Sequence, residues 1–257
     1  MNRIKDAFLN KKAFIAYLMA GDPNLALSAE YILTAQEAGA DMVEIGIPFS
    51  DPIAEGAVIQ SASIRALKAG TGLDGVFDMV ASIKEKMRIP LVFMTYLNPV
   101  FVYGYDRFFE KCAQIGICGV IIPDLPFEEQ AEAKPFAVRH AVEIVTLVAP
   151  TSENRIARIS ANAEGFIYLV SSMGVTGMRG EITTDLTSII SEIKKATDIP
   201  VAIGFGISSP EQARRFSQAA DGIIVGSAIV RIIEQHGENA KHLLYEYIKM
   251  MKDSMEL

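Results

Sequence analysis

Glu44 and Glu55 are the residues of this chain whose type and position best suit acid–base chemistry. They flank a turn in the run VEIGIPFSDPIAEG (43–56). Glu44 lies inside DMVEIGI (41–47), an apolar run that otherwise reads as a buried strand. A carboxylate there must be desolvated unless a partner is supplied. Burial disfavours the ionised form and raises a carboxyl pKa, by up to ~3–5 units when burial is complete. A carboxyl so shifted stays protonated near neutral pH and can act as a general acid. The strand alone leaves a second reading open, a buried glutamate paired with a neighbouring polar group. Glu55 falls in the following loop, where most acids are simply solvated. Its nearness to the end of the Glu44 strand makes it the candidate for a second carboxylate over the same pocket. Asp51 competes for that role, although Ser50-Asp51-Pro52 is also an ordinary turn signal.

The elements that must position these groups recur along the chain. Short apolar runs rich in β-branched residues appear at FIAYLMA (14–20), DMVEIGI (41–47), PLVFMTY (90–96), GVIIPDL (119–125), EIVTLVA (143–149), GFIYLVS (165–171), PVAIGFG (200–206) and GIIVGSA (222–228). Segments such as ALSAEYILTAQEAG, DRFFEKCAQIG and SPEQARRFSQAA lie between them, with apolar residues at three- and four-residue spacing. Many end in Gly, as helix C-caps do. Strands alternating with helices predict an all-parallel sheet, and eight of them favour a closed (β/α)8 TIM barrel over a doubly wound open sheet. No GxGxxG follows the first strand. No linker or low-complexity stretch divides the chain, which predicts one domain over residues 1–257. The interval 48–72 is long enough for an extra helix, AVIQSASIRALKAG, and 172–184 is rich in Gly. Long loops after strands build the active face of such a barrel. Side chains alternate along a strand. Val43, Ile45 and Ile47 should therefore face the helices, and Met42, Glu44 and Gly46 the barrel axis. Gly46 would leave room for a ligand.

The totals restrict the chemistry further. The chain has 257 residues, half of them hydrophobic, and a formal charge of −7. It has no basic stripe, which argues against nucleic acid as a partner. No apolar stretch is long enough to span a bilayer, and MNRIKDAFLNKK lacks a signal-peptide core. Cys112 and Cys118 fit neither a disulfide framework nor a metal spacing, so a reducing cytoplasm is expected.

An anionic ligand remains compatible with this charge, because helix N-termini bind phosphate. GFGISSP (204–210) and GSAIVRII (226–233) end the last two strands. Ser208 or Ser209 can cap the next helix, with Pro210 in its first turn. Ser227 is expected to open the final helix. GVTGMRG (174–180) adds a third Gly-rich loop, with Thr176 and Arg179 available to a phosphate or carboxylate. Together these predict a phosphate pocket. No Lys ends a strand, which argues against a Schiff-base aldolase. His140, His236 and His242 fall in helical or linking segments, which argues against a His-bound metal or His base. What remains is carboxylate acid–base chemistry on a small phosphorylated molecule. Another sugar-phosphate enzyme would need a different base or a metal set, and the sequence offers neither.

At these residues the chain resembles the tryptophan synthase α subunit family. The likeness covers FIAYLMAGDP (14–23), VEIGIPFSDPIAEG (43–56), FMTYLNP (93–99), IIPDLP (121–126), GFIYLVSSMGVTG (165–177), GFGISSP (204–210) and GSAIV (226–230). The resemblance implies a TIM barrel that cleaves indole-3-glycerol phosphate to indole and glyceraldehyde 3-phosphate in tryptophan biosynthesis, with no cofactor or metal on this chain. By position, Glu44 matches the family's catalytic glutamate, which protonates indole C3 and helps move the proton of the substrate hydroxyl. Glu55 falls where the family has an aspartate facing the indole N–H. The resemblance implies that the buried Glu44 stays neutral and that Glu55 stays charged among polar groups. Tyr17, Ile59, Met94, Ile121 and Tyr168 match pocket-lining positions, and Thr176 the threonine of a mobile loop. Gly177, Gly204, Phe205, Gly206, Gly226 and Ser227 match positions around the phosphate. Pro48, Ser50, Asp51 and Pro52, with Asn98 and Phe101, would meet a β subunit. That partner carries pyridoxal phosphate, and the implied assembly is an αββα heterotetramer through which indole passes internally.

The chain departs from the family pattern at Ala54-Glu55-Gly56-Ala57, where the family has aspartate followed by Gly-Pro. Glutamate keeps the charge and adds a methylene. A ~1 Å displacement of a catalytic group can cost about a hundredfold in rate. GVTGMRG also suggests a shorter lid. These departures motivate an alternative, a weakly active or inactive α-like subunit that acts mainly as a binding and allosteric partner of the β subunit.

Overall fold

A computed structural model describes residues 3–150, 155–170, 186–204 and 206–256. The apolar runs form eight strands: β1 (Ala13–Met19), β2 (Met42–Gly46), β3 (Leu91–Met94), β4 (Ile117–Ile121), β5 (Glu143–Val148), β6 (Glu164–Val170), β7 (Val201–Gly204) and β8 (Gly222–Val225). They pair in parallel in chain order, and β1 closes on β8. Helices α1 (Leu25–Glu37), α2 (Ala57–Lys68), α3 (Leu73–Ile83), α4 (Leu97–Tyr103), α5 (Tyr105–Ile115), α6 (Lys134–Arg139), α7 (Ile156–Ser160), α8 (Leu186–Ala196), α9 (Pro210–Ala219), α10 (Ser227–His236) and α11 (Ala240–Ser254) surround them. A parallel sheet has both faces covered, so its strands are mostly apolar. Every residue of β1 is buried accordingly.

Alternation sorts the buried residues into two clusters. Val43, Ile45 and Ile47 join the layer between sheet and helices. Met42, with Ile15, Tyr17, Val92, Met94, Ile121 and Tyr168, joins the cluster inside the barrel. Glu44 is therefore inward, as the spacing predicts. The extra helix expected before β3 is α2, and α3 follows it.

Two expectations need correction. The fourth strand is Ile117–Ile121 and not 119–125. Beyond it the chain turns, and Asp124 Oδ1 accepts a 2.8 Å hydrogen bond from the Leu97 N–H at the start of α4. That side chain ties the β4 exit to the β3 exit. Ser227 opens α10, which is not the final helix, because α11 follows. The last helix is held to the barrel floor by Lys252, whose Nζ donates to Asp41 Oδ2 and to the Lys12 carbonyl, both at 2.9 Å.

Candidate active site

Glu44 projects into the barrel from β2. Its residue is 1% exposed, and Oε2 has no hydrogen-bond partner among the described residues. Burial, reinforced by the charge of Glu55, pushes the Glu44 carboxyl up to about 8. Tyr17 is its direct neighbour, since β1 and β2 pair Tyr17 with Glu44 and Met19 with Gly46. The Tyr17 hydroxyl is also buried and without a partner among the described residues.

Glu55 ends the loop that follows β2, one residue before the Gly56 cap of α2. That loop is tethered at several points. The Phe49 N–H donates to Ser63 Oγ, and Ser63 Oγ donates to the Phe49 carbonyl, each at 2.9 Å. The Ala54 N–H donates to the Tyr96 hydroxyl at 3.1 Å, and Gln60 Nε2 to the Glu55 carbonyl at 2.7 Å. Glu55 is consequently 4% exposed, and burial raises its carboxyl to about 7. This corrects the expectation of polar surroundings. The tethered loop turns the side chain inward, so the second acid is desolvated as well as the first. Tyr96 was not among the residues expected at the site. It is buried, packs on Phe49 with ring centroids 5.3 Å apart, and feels the Glu55 charge. An aromatic at the mouth end of PLVFMTY, next to a turn, was the available signal. The competing acid, Asp51, is exposed and accepts from its neighbour Ser50 Oγ at 2.5 Å. It takes no part.

The expected pocket residues Tyr17, Ile59, Met94, Ile121 and Tyr168 share the interior cluster. Burial raises the phenols of Tyr17 and Tyr168, and the Glu44 charge adds to both. The space expected at Gly46 is taken. A Cβ added there would lie 2.2 Å from the Tyr17 hydroxyl oxygen. Gly204 is matched in the same way to Tyr168, whose hydroxyl oxygen would be 2.4 Å from an added Cβ. At each point a tyrosine fills the place of a side chain missing from the adjacent strand.

The two helix N-termini after β7 and β8 differ. At α9, Ser209 Oγ accepts from the Gln212 N–H at 3.3 Å, and Gln212 Oε1 accepts from the Ser208 N–H at 2.8 Å. The Ser209 N–H also donates to Gln212 Oε1 at 3.3 Å, which completes a capping box that uses the helix's own amides. At α10, Gly226 is the cap and brings no side-chain acceptor. The first amides of α10 are left for an anion. Gly206 adopts a left-handed φ of 87° between β7 and α9. Thr176, Gly177, Arg179 and Phe205 lie outside the described residues.

Among the expected partner contacts, Ser50, Asp51 and Asn98 are exposed, Pro52 is half-buried and Phe101 is 63% exposed. Pro48 is buried and presents no surface, because it continues β2 beneath the loop. Ile53 and Val102, 71% and 75% exposed, extend the apolar surface beside Phe101 in sequence and loop. Among the described residues no group of three or more His, Cys, Asp or Glu could hold a metal ion, and no helix is long and apolar enough to cross a membrane.

Known proteins resemble this chain over nearly its whole length. A family model described as tryptophan synthase alpha chain matches residues 4–256. The tryptophan synthase alpha chain of Lacticaseibacillus casei is 43% identical over 256 residues, covering 100% of this chain and 96% of that one. That of Lactiplantibacillus plantarum is 46% identical over 257 residues, covering 100% and 97%. Tryptophan synthase subunit alpha from Legionella pneumophila has the same fold, with a TM-score of 0.90 at 32% identity and coverage of 100% and 99%. A structure of Mycobacterium tuberculosis tryptophan synthase gives 0.90 at 33%, with the same coverage. This chain therefore belongs to the tryptophan synthase alpha chain family, whose reaction is the cleavage of indole-3-glycerol phosphate to indole and glyceraldehyde 3-phosphate.

Proposed function

We propose that Glu44 and Glu55 carry out this cleavage as an acid–base pair of unlike charge. The observation that carries the reading is the buried Glu44 carboxyl, whose Oε2 has no partner among the described residues and which is raised to about 8 by burial and by the charge of Glu55. Glu44 begins protonated and gives its proton to indole C3. The ring becomes cationic, and an ionised Glu55 near the indole N–H offsets that charge. The Glu44 carboxylate then takes the proton of the substrate hydroxyl adjacent to C3. The carbon–carbon bond breaks, its electron pair returns to the ring, and the oxygen becomes the aldehyde carbonyl. Glu44 ends as it began. The substrate phosphate is placed on the first turn of α10, at Gly226 and Ser227, with Gly204 and Gly206 beside it. The α9 amides contribute less, because its cap already uses them. Phe205, Thr176 and Gly177 are proposed here from the family pattern alone.

The family implies a β-subunit partner. We place it on Ser50, Asp51, Pro52, Asn98 and Phe101, in an αββα assembly whose pyridoxal phosphate resides on the β subunit. The working compartment proposed is the cytoplasm, in keeping with two buried free thiols at Cys112 and Cys118.

Two titrations bound the activity. Glu55 must be ionised, so kcat/KM rises through about pH 7. Glu44 must be protonated, so it falls again through about pH 8. A narrow bell between these values is expected, and a flat profile from pH 6 to 9 would contradict the pair.

The decisive experiment measures indole release from indole-3-glycerol phosphate by the purified chain, alone and with a β subunit. Slow release that rises with the partner is expected. Glu55→Asp should stay within about tenfold of the parent, because the tethered loop can absorb a methylene, and Glu55→Ala should lose about a hundredfold. Complex formation without release in either setting would instead favour the scaffold reading.

A further inference from the structure

We propose that Tyr17 is a further catalytic residue, whose hydroxyl donates a hydrogen bond to the substrate oxygen that becomes the aldehyde carbonyl. This rests on the reading of Glu44 and Glu55 as the cleaving pair.

The hydroxyl is costly where it stands. It is buried, and no described residue accepts from it or donates to it. A buried hydroxyl left unsatisfied is destabilising. Phenylalanine would fill the same interior cluster without that cost. The chain also gives up a side chain to make room. Gly46 has none, and the Tyr17 hydroxyl oxygen occupies the place where a Cβ would be, with the ring carbon Cζ 2.7 Å from that point. On its other side the Tyr17 ring lies against Gly226, where an added Cβ would meet it at 3.4 Å. The ring is thus held between the strand of the acid and the start of α10.

The consequence is a polar group moved from one strand to the next. Glu44 and Gly46 are alternate residues on β2, and both face inward. The phenol of β1 supplies β2 with a hydroxyl at position 46, one inward step above the carboxyl. That step is roughly 7 Å along a strand. Two groups without a partner among the described residues, Glu44 Oε2 and the Tyr17 hydroxyl, therefore occupy successive inward positions along β2. A substrate hydroxyl between them can donate to the Glu44 carboxylate and accept from Tyr17. As its proton passes to Glu44, negative charge grows on that oxygen, and the phenol is already aimed at it. Tyr17 keeps its own proton throughout. Burial and the charges of Glu55 and Glu44 hold its pKa well above the ordinary value, which keeps it a donor.

The test compares Tyr17→Phe with the parent protein. Loss of one preorganised donor to a developing oxyanion costs about a hundredfold in kcat. The expected result is that loss, with KM changed by less than about threefold and the unfolding temperature unchanged or raised. Indole-propanol phosphate, which lacks the hydroxyl, should bind both proteins equally. Gly46→Ala is a second variant, since it moves the hydroxyl without removing it, and it should lower kcat as well. Parental kcat in Tyr17→Phe, beside an inactive Glu44→Gln, would overturn the proposal and leave the glutamate pair standing. Weaker binding of indole-propanol phosphate by Tyr17→Phe would overturn it too, by showing that the ring only shapes the pocket. Full turnover in Glu44→Gln would overturn the underlying reading, and the proposal with it.

Discussion

Replacing Glu44 by Gln is expected to lower indole release at least about a thousandfold while making the protein more stable. The loss follows from the double use of one carboxyl, since positioned acid–base groups each contribute about 10²–10⁴. An amide of the same shape can neither give the proton to C3 nor take one from the hydroxyl. The gain in stability follows from the pKa. The native carboxyl is raised to about 8, against an ordinary value of 4.5 in the unfolded chain. Between those values the native state binds the extra proton, so stability falls as pH rises. The cost is absent below the unfolded value and complete above the native one, on the order of 5 kcal/mol. Gln removes it. Calorimetry should therefore find Glu44→Gln similar to the parent near pH 4 and clearly more stable at pH 9. A stability difference that does not vary with pH would show that Glu44 is not held neutral by burial. Retained turnover would sink its assignment as the acid.

The second large effect is expected from one methyl group. Gly46→Ala should reduce kcat/KM about a hundredfold and destabilise by about 1–3 kcal/mol. The new Cβ would stand 2.2 Å from the Tyr17 hydroxyl oxygen, far inside contact distance. The backbone of the tyrosine is fixed, because β1 is paired to β2 through Tyr17 and Glu44. The ring must tilt, and its hydroxyl leaves the space above the carboxyl. Removing the obstruction should relieve the fold but not the chemistry. In a Tyr17→Ala background, Gly46→Ala should cost little further stability, and activity should remain low. A full stability penalty in that background would place the strain elsewhere. Paired variants of this kind isolate the contact itself.

The fold was legible because its signal repeats. Eight apolar runs with helical segments between them admit few parallel architectures, and alternation alone turned Glu44 inward. What alternation cannot supply is the partner on the neighbouring strand. Gly46 reads as space for a ligand until the register sets Tyr17 beside it, and Gly204 reads the same way until Tyr168 is seen. Glu55 was found from its spacing, but its burial was not. A loop acid is solvated unless tertiary contacts fold the loop inward, and here those include the bonds of Ala54 to Tyr96 and of Phe49 to Ser63. Ser209 and Pro210 announced the start of α9 correctly. Their consequence was hidden, because a well-capped N-terminus has fewer amides to offer an anion. Pro48 looked like part of the partner surface because PFSDP is read as one motif, although only its later residues emerge.

The bond from the Ala54 N–H to the Tyr96 hydroxyl has a further meaning. Ala54 lies between Ile53 at the surface and Glu55 in the interior, and Tyr96 stands directly before α4, which carries Phe101. Outside and inside are therefore separated by a single residue and a single hydrogen bond. The surface residue Ile53 and the buried acid Glu55 are thus set two positions apart on one loop, and that loop is tied through Tyr96 to the helix that carries Phe101.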